Sequence, residues 1–188
     1  LSGWTASKDV ILKVATMLTV KGGTGKIVEY FGEGARSMSA TGKGTITNMG
    51  AEIGATTSTF GYDDMMDPYL RATDRGPIAD LCKQYAEHLR SDASVEENPE
   101  KYYDEYYEID LNTLEPHIVG PHTPDLGRAV SAMSAEVDEK GYPEKLSAAL
   151  IGSCTNSSYE DMTRAVSLVR QAKKAGLKAK SSLMVTPG

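Results

Sequence analysis

The chemistry in this chain centres on one thiol. Cys154 lies in the run Leu150-Ile151-Gly152-Ser153-Cys154-Thr155-Asn156-Ser157-Ser158-Tyr159-Glu160-Asp161. Residues 148–151 form a short apolar stretch, too brief for a helix and suited to a buried strand. Residues 152–156 are small and mostly polar, and from Ser158 onward Met162, Ala165, Val166 and Val169 recur at three- and four-residue steps. The thiol therefore stands at the carboxyl end of a strand and just before a helix, where open α/β sheets place ligand sites. A helix amino terminus offers unpaired N–H groups and partial positive charge, which favours a thiolate. A thiolate can act as a nucleophile or hold a metal. On position alone, a small buried hydrophobe is an equally good reading of a lone cysteine.

Glu52 is the second candidate, because it sits in a run of Asn, Met, Gly, Ala, Ile, Gly and Thr with little other charge. From local pattern alone it is a surface glutamate on a helix. Asn48 precedes it by one helical turn, and a spacing of four puts both on one helical face. Ser153, Thr155 and Asn156 flank the thiol and suit turn and capping chemistry or hydrogen bonding to a metal-bound sulfur, and both can hold. Cys82 falls mid-helix among Ile78, Leu81 and Tyr85, the setting of a packing residue. The spacing of His88, His117 and His122 fits no helical metal motif, so structural or solvated roles are expected. The glycine runs at 22–26 and 41–45 miss the spacing of a phosphate-binding loop, and a nucleotide site is rejected.

The elements that must position these residues follow from patterning. A helix is expected from Ser7 as N-cap through Val10, Ile11, Val14, Met17 and Leu18, ended by Gly22-Gly23. A strand over 26–31 and its turn at 32–34 come next, then helices over 42–53, 62–70 and 77–89, the last with Pro77 in its first turn. Residues 92–104, acidic and polar, read as a solvated loop, and 106–111 as a strand. The proline-rich stretch 115–124 is the expected domain boundary. Beyond it come a helix near 127–140, the strand 148–151, a helix over 158–175 and a strand near 180–185. That last β-α-β unit predicts parallel neighbours around one crossover helix.

At 188 residues the chain can hold one domain or two small ones with an ordinary core. A net charge of −6 and a pI near 5.1 argue against non-specific nucleic-acid binding. No apolar stretch approaches the roughly 20 residues that span a bilayer. Two cysteines give no disulfide framework and suit a reducing compartment. The start at Leu1 and the stop just after an apolar run suggest that both ends are cut from a longer polypeptide.

The twelve-residue run around Cys154 resembles the aconitase-family segment that supplies the first of three cysteine ligands to a [4Fe–4S] cluster. Residues 45–58, Thr45-Ile46-Thr47-Asn48-Met49-Gly50-Ala51-Glu52-Ile53-Gly54-Ala55-Thr56-Thr57-Ser58, resemble a second family signature. So do Lys21-Gly22-Gly23-Thr24-Gly25 and the turn from Pro116-His117 to Asp125-Leu126. The likeness runs in order from end to end and is greatest to mitochondrial-type members.

The resemblance implies an α/β fold of three-layer domains with mostly parallel sheets, residues 1–116 being most of the second domain and 117–188 the start of the third. It implies a hydro-lyase that isomerises citrate to isocitrate through cis-aconitate, in the bacterial cytoplasm or mitochondrial matrix, usually as a monomer. It makes Cys154 one of three cluster ligands, with the Cys-x-x-Cys pair absent here. It assigns Glu52 to the active site near the labile iron and places Asn48 close to the cluster, so that Glu52 and Cys154 are expected to approach one cleft. The base, a serine, and the substrate-binding arginines are implied to lie elsewhere in the polypeptide, and this piece is not expected to be active alone. Many relatives carry cysteine at the positions of Ala40 and Thr47, but those cysteines are not cluster ligands. Sister hydro-lyases acting on homoaconitate or isopropylmalate are the first alternative, and a cluster-free RNA-binding regulator is the second.

Overall fold

A computed structural model describes residues 1 and 3–187. The chain divides into two compact units, Leu1–Val130 and Ser131–Gly188.

In the first unit, helix α1 spans Ser7–Leu18 and buries Val10, Ile11, Val14 and Ala15. Its cap position is Ala6 rather than Ser7. The Ala6 N–H donates to the Asp9 carboxylate at 2.7 Å, so a first-turn carboxylate satisfies the cap residue's own N–H, and no serine hydroxyl caps the helix. The helix ends before the glycine pair, at Thr19, whose φ is 61°. Strand β1 (Ile27–Tyr30), the single turn α2 (Glu33–Arg36) and helix α3 (Ala40–Asn48) follow. The Ser39 hydroxyl caps α3 by accepting the Gly42 N–H at 3.1 Å. At Asn48 the coil tightens into a 3-10 turn, Met49–Ile53.

Strand β2, Thr57–Phe60, pairs parallel with β1 from Ile27↔Thr57 to Tyr30↔Phe60. The sequence pattern carries no strand here, because Thr57, Ser58 and Thr59 lack an apolar run. Helices α4 (Asp67–Ala72) and α5 (Gly76–Gln84) stand where helices over 62–70 and 77–89 were expected, with Pro77 in the first turn of α5. The acidic stretch is not a plain loop. It forms the short helices α6 (Ala93–Glu97) and α7 (Pro99–Tyr102), and Arg36 holds both carboxylate oxygens of Glu96 at 2.8 Å. Residues 106–111, expected as a strand, belong to no sheet. Ile109 and Leu111 pack against the core, so the apolar alternation serves side-chain burial without a neighbouring strand to ladder with.

Strands β3 (His117–Val119) and β4 (Gly127–Ala129) pair antiparallel. The proline-rich stretch carries β3 and most of the loop of this hairpin, and by contacts the compact units divide after Val130. Gly127 meets α1 closely, since a Cβ there would lie 1.9 Å from Thr16 Oγ1. That contact and the ladder replace the start of the helix expected over 127–140. The core joins α1 to Ile46, Met49 and Ile53, and Ile11, Ile46 and Ile53 are wholly shut from solvent. Each such side chain contributes about 1.5–3 kcal/mol through burial. Within this unit Lys43 and Asp63 form an ion pair at 3% and 6% exposure.

The second unit contains α8 (Met133–Lys140), β5 (Ala148–Gly152), α9 (Tyr159–Lys174) and β6 (Ser182–Thr186). β5 and β6 are parallel neighbours, in register from Ala148↔Ser182 to Gly152↔Thr186, with α9 in the connection. This is the expected β-α-β unit. None of its described residues is buried. The chain is therefore α/β, with parallel pairing in two of the three two-stranded sheets among the described residues.

Candidate functional site

Cys154 stands in the loop between β5 and α9 and is exposed. Its thiol lies 3.5 Å from the Thr155 hydroxyl. Two features shape the loop. At its start, Gly152 has φ 141° and Ser153 φ 74°, a sharp reversal that lifts the chain off the strand. A Cβ on Gly152 would lie 2.1 Å from Thr186 Oγ1 and 2.4 Å from the Thr186 carbonyl oxygen, so glycine is required. At its end, the Ser158 hydroxyl accepts the Asp161 N–H at 3.2 Å while the Asp161 carboxylate accepts the Ser158 N–H at 3.2 Å. This reciprocal cap fixes where α9 begins. Asn156 Nδ2 lies 3.5 Å from the other Asp161 oxygen. Ser158 and Asp161 perform the capping, with Asn156 beside them, while the Thr155 hydroxyl stays next to an exposed sulfur donor in a defined turn.

Glu52 lies in the 3-10 turn that extends α3, and it is exposed. Asn48, the last residue of α3, is exposed as well. The expected shared helical face needs correction. At three residues per turn, four steps carry Glu52 about 120° round from Asn48. The two remain one element apart without standing in line. No ion pair holds Glu52 among the described residues.

The turn is braced from outside by the glycine-rich run. The Gly23 N–H donates to the Ile53 carbonyl at 2.8 Å, Thr24 bridges Ala55, and the Thr56 N–H donates to the Lys26 carbonyl at 2.9 Å. Gly54 leaves the turn at φ 73°. The run that mimics a phosphate loop is thus a backbone clasp on residues 53–56. Sequence reasoning noted both segments but not their contact, and it missed Thr186 entirely, since nothing in its type points to a role at the thiol loop.

Cys82 is half-buried in α5, and Ile78, Leu81 and Tyr85, expected to pack around it, are exposed. His88 stands beside Glu87 at 3.3 Å. His117 Nδ1 lies 2.7 Å from the Glu115 carbonyl, and its backbone N–H donates to Asp9. No group of three His, Cys, Asp or Glu side chains gathers as a metal site among the described residues. One exposed thiolate fits the donor chemistry of an iron–sulfur cluster as a single corner, with further ligands required from elsewhere.

The sequence profile of the aconitase family (aconitate hydratase) matches residues 1–188. The chain belongs to the aconitase family. It is 57% identical over 188 residues to "Aconitate hydratase, mitochondrial" of Arthroderma benhamiae, covering all of this chain and 24% of that relative. It is 56% identical to the protein of the same name from Saccharomyces cerevisiae, again over the whole chain and 24% of the relative. The "Probable aconitate hydratase, mitochondrial" of Caenorhabditis elegans is 55% identical, with 23% of its length covered. The chain thus spans about a quarter of the length of these aconitase-family relatives.

Proposed function

We propose that this chain supplies one cluster thiolate and one active-site carboxylate to an aconitate hydratase, a hydro-lyase that dehydrates citrate to cis-aconitate and rehydrates it to isocitrate. The observation that carries this reading is an exposed thiol in a glycine-set strand-to-helix turn, within a chain alike from end to end to proteins of that name.

Cys154 would hold one iron of a [4Fe–4S] cluster through Sγ. When bound, such a cluster supplies a Lewis-acidic iron position for a departing hydroxyl. The Thr155 hydroxyl near Sγ is placed to donate to the thiolate, which tunes a sulfur ligand. The carboxylate oxygens of Glu52 would accept a hydrogen bond from the substrate hydroxyl or from the water it becomes, orienting that group, and exposure leaves them free to do so. Asn48 would contribute an amide beside the cluster. The carbon-bound proton goes to a base outside this chain. Residues 1–116 would correspond to most of the family's second domain and 117–188 to the start of the third. The mitochondrial names of the relatives favour the matrix as the compartment, and the acidic balance disfavours an RNA-binding role. The protein would act as a monomer on citrate, cis-aconitate and isocitrate.

The test is Cys154→Ser in the full-length enzyme. Loss of the cluster's visible absorbance together with hydratase activity supports the assignment. A loaded, active variant refutes it.

A further inference from the structure

We infer that Gly23 is a positioning residue for Glu52, acting through the backbone clasp between the glycine-rich run and the 3-10 turn Met49–Ile53. The inference rests on the reading of Glu52 as an active-site carboxylate.

Glu52 is exposed and unpaired among the described residues, so nothing at the carboxylate itself fixes its direction. What is fixed is the main chain from which it departs. The neighbouring residue, Ile53, is wholly buried and accepts the Gly23 N–H at 2.8 Å. Two more bonds tighten the turn from within, Gly54 N–H to Ala51 O and Ala55 N–H to Gly50 O, both at 3.0 Å. A Cβ on Gly23 would lie 2.7 Å from the Ile53 carbonyl oxygen and 2.9 Å from the Ala55 nitrogen. These are backbone atoms, and no rotamer change can move them aside. A Cβ on Gly54 would press the same contact from the other side, 3.0 Å from Thr24 Oγ1 and 3.1 Å from the Val20 carbonyl. The clasp therefore leaves no slack. Any side chain at position 23 pushes on the Ile53–Gly54 peptide, one peptide beyond Glu52 in the same tight turn, and small displacements of a reacting group weaken catalysis steeply.

The experiment is a double-mutant cycle in the full-length, cluster-loaded enzyme, with kcat and KM read separately. Gly23→Ala is expected to lower kcat on the order of tenfold, with cluster absorbance retained. In a Glu52→Gln background the same substitution is expected to have no further effect, because the group it positions is already gone. An equal loss in both backgrounds would mean a merely structural role and overturn the proposal. A fully active Glu52→Gln enzyme would instead refute the reading of Glu52 itself. Should Gly23→Ala not accumulate, hydrogen exchange of the Gly23 amide decides the matter. Saturating citrate should slow it by about threefold or more in the wild type and leave it unchanged in Glu52→Gln. Exchange indifferent to citrate in the wild type overturns the clasp's role.

Discussion

The Thr186 hydroxyl accepts the backbone N–H of Ser153 at 3.2 Å. The last residue of β6 thereby closes the loop that carries the thiol, from 33 positions away in the chain. The pairing of Gly152 with Thr186 at the end of the ladder brings the two together. The geometry of the thiol turn is thus decided as much by the second strand as by the residues beside Cys154.

Gly152→Ala is expected to damage that turn. The added carbon has nowhere to go against Thr186, and φ 141° is closed to an L side chain. The strain should cost about 1–3 kcal/mol and lower the melting temperature of the full-length protein. Cluster content, read by visible absorbance, should fall with it. Thr186→Ser keeps the acceptor and should leave both unchanged.

Cys154→Ser and Cys82→Ser should behave oppositely. The first replaces a soft donor with a weakly acidic hydroxyl that holds iron poorly, so absorbance and activity in the full-length enzyme should be lost together. The second alters a half-buried thiol in α5 that is not read as a cluster ligand and should change neither. Anaerobic reconstitution of the 188-residue chain by itself should yield no stoichiometric, chelator-resistant cubane, because it offers one thiolate where three are needed.

Lys43→Met tests the buried ion pair of the first unit. Removing the lysine strands the Asp63 carboxylate at 6% exposure, and breaking such a pair from one side costs about 3–5 kcal/mol. The double replacement Lys43→Met with Asp63→Asn should recover some of that loss in chemical denaturation. A single variant as stable as the parent would show that the pair contributes nothing.

Asp125 links the end of α1 to the β3–β4 loop. Its carboxylate accepts the Thr123 hydroxyl and, at 3.3 Å, the Val20 N–H. These bonds, the hydroxyl's first, hold its pKa below the ordinary aspartate value. A depressed carboxylate pKa favours the folded state above the unfolded value, and that contribution is lost as pH falls through the folded one. The Val20 amide resonance should therefore titrate with a midpoint below the usual aspartate range. A midpoint at or above about 3.9 would contradict the bond.

The second unit was legible because its pattern is local. An apolar tetrad, a capped helix and a second apolar run predict a β-α-β unit in sequence order, and the pairing of Ala148 with Ser182 follows. The first unit was less so. Strand β2 is threonine and serine up to Phe60 and exists because β1 lies alongside it, a non-local fact. Residues 106–111 carry the alternation of a strand yet have no partner, for the converse reason. At the thiol, the residue type and the glycine before it were readable, whereas Thr186 was not. At Glu52, the signature was readable, but the change from α-helix to 3-10 turn at Met49 was not. The far end of that turn meets Gly23 and Thr24, a contact no local pattern reveals.

All five side chains of β6 are exposed, and no described residue of 131–187 is buried. Parallel sheets are ordinarily covered on both faces. During synthesis this stretch would then be a late gainer of stability, dependent on whatever comes to lie over it. Its apolar strands, Leu183, Met184 and Val185 among them, would be open to chaperones and proteases for that interval. Pulse proteolysis of stalled nascent chains should find cleavage concentrated after residue 131 while the α1 core already resists. Uniform resistance would show that the unit holds together unaided.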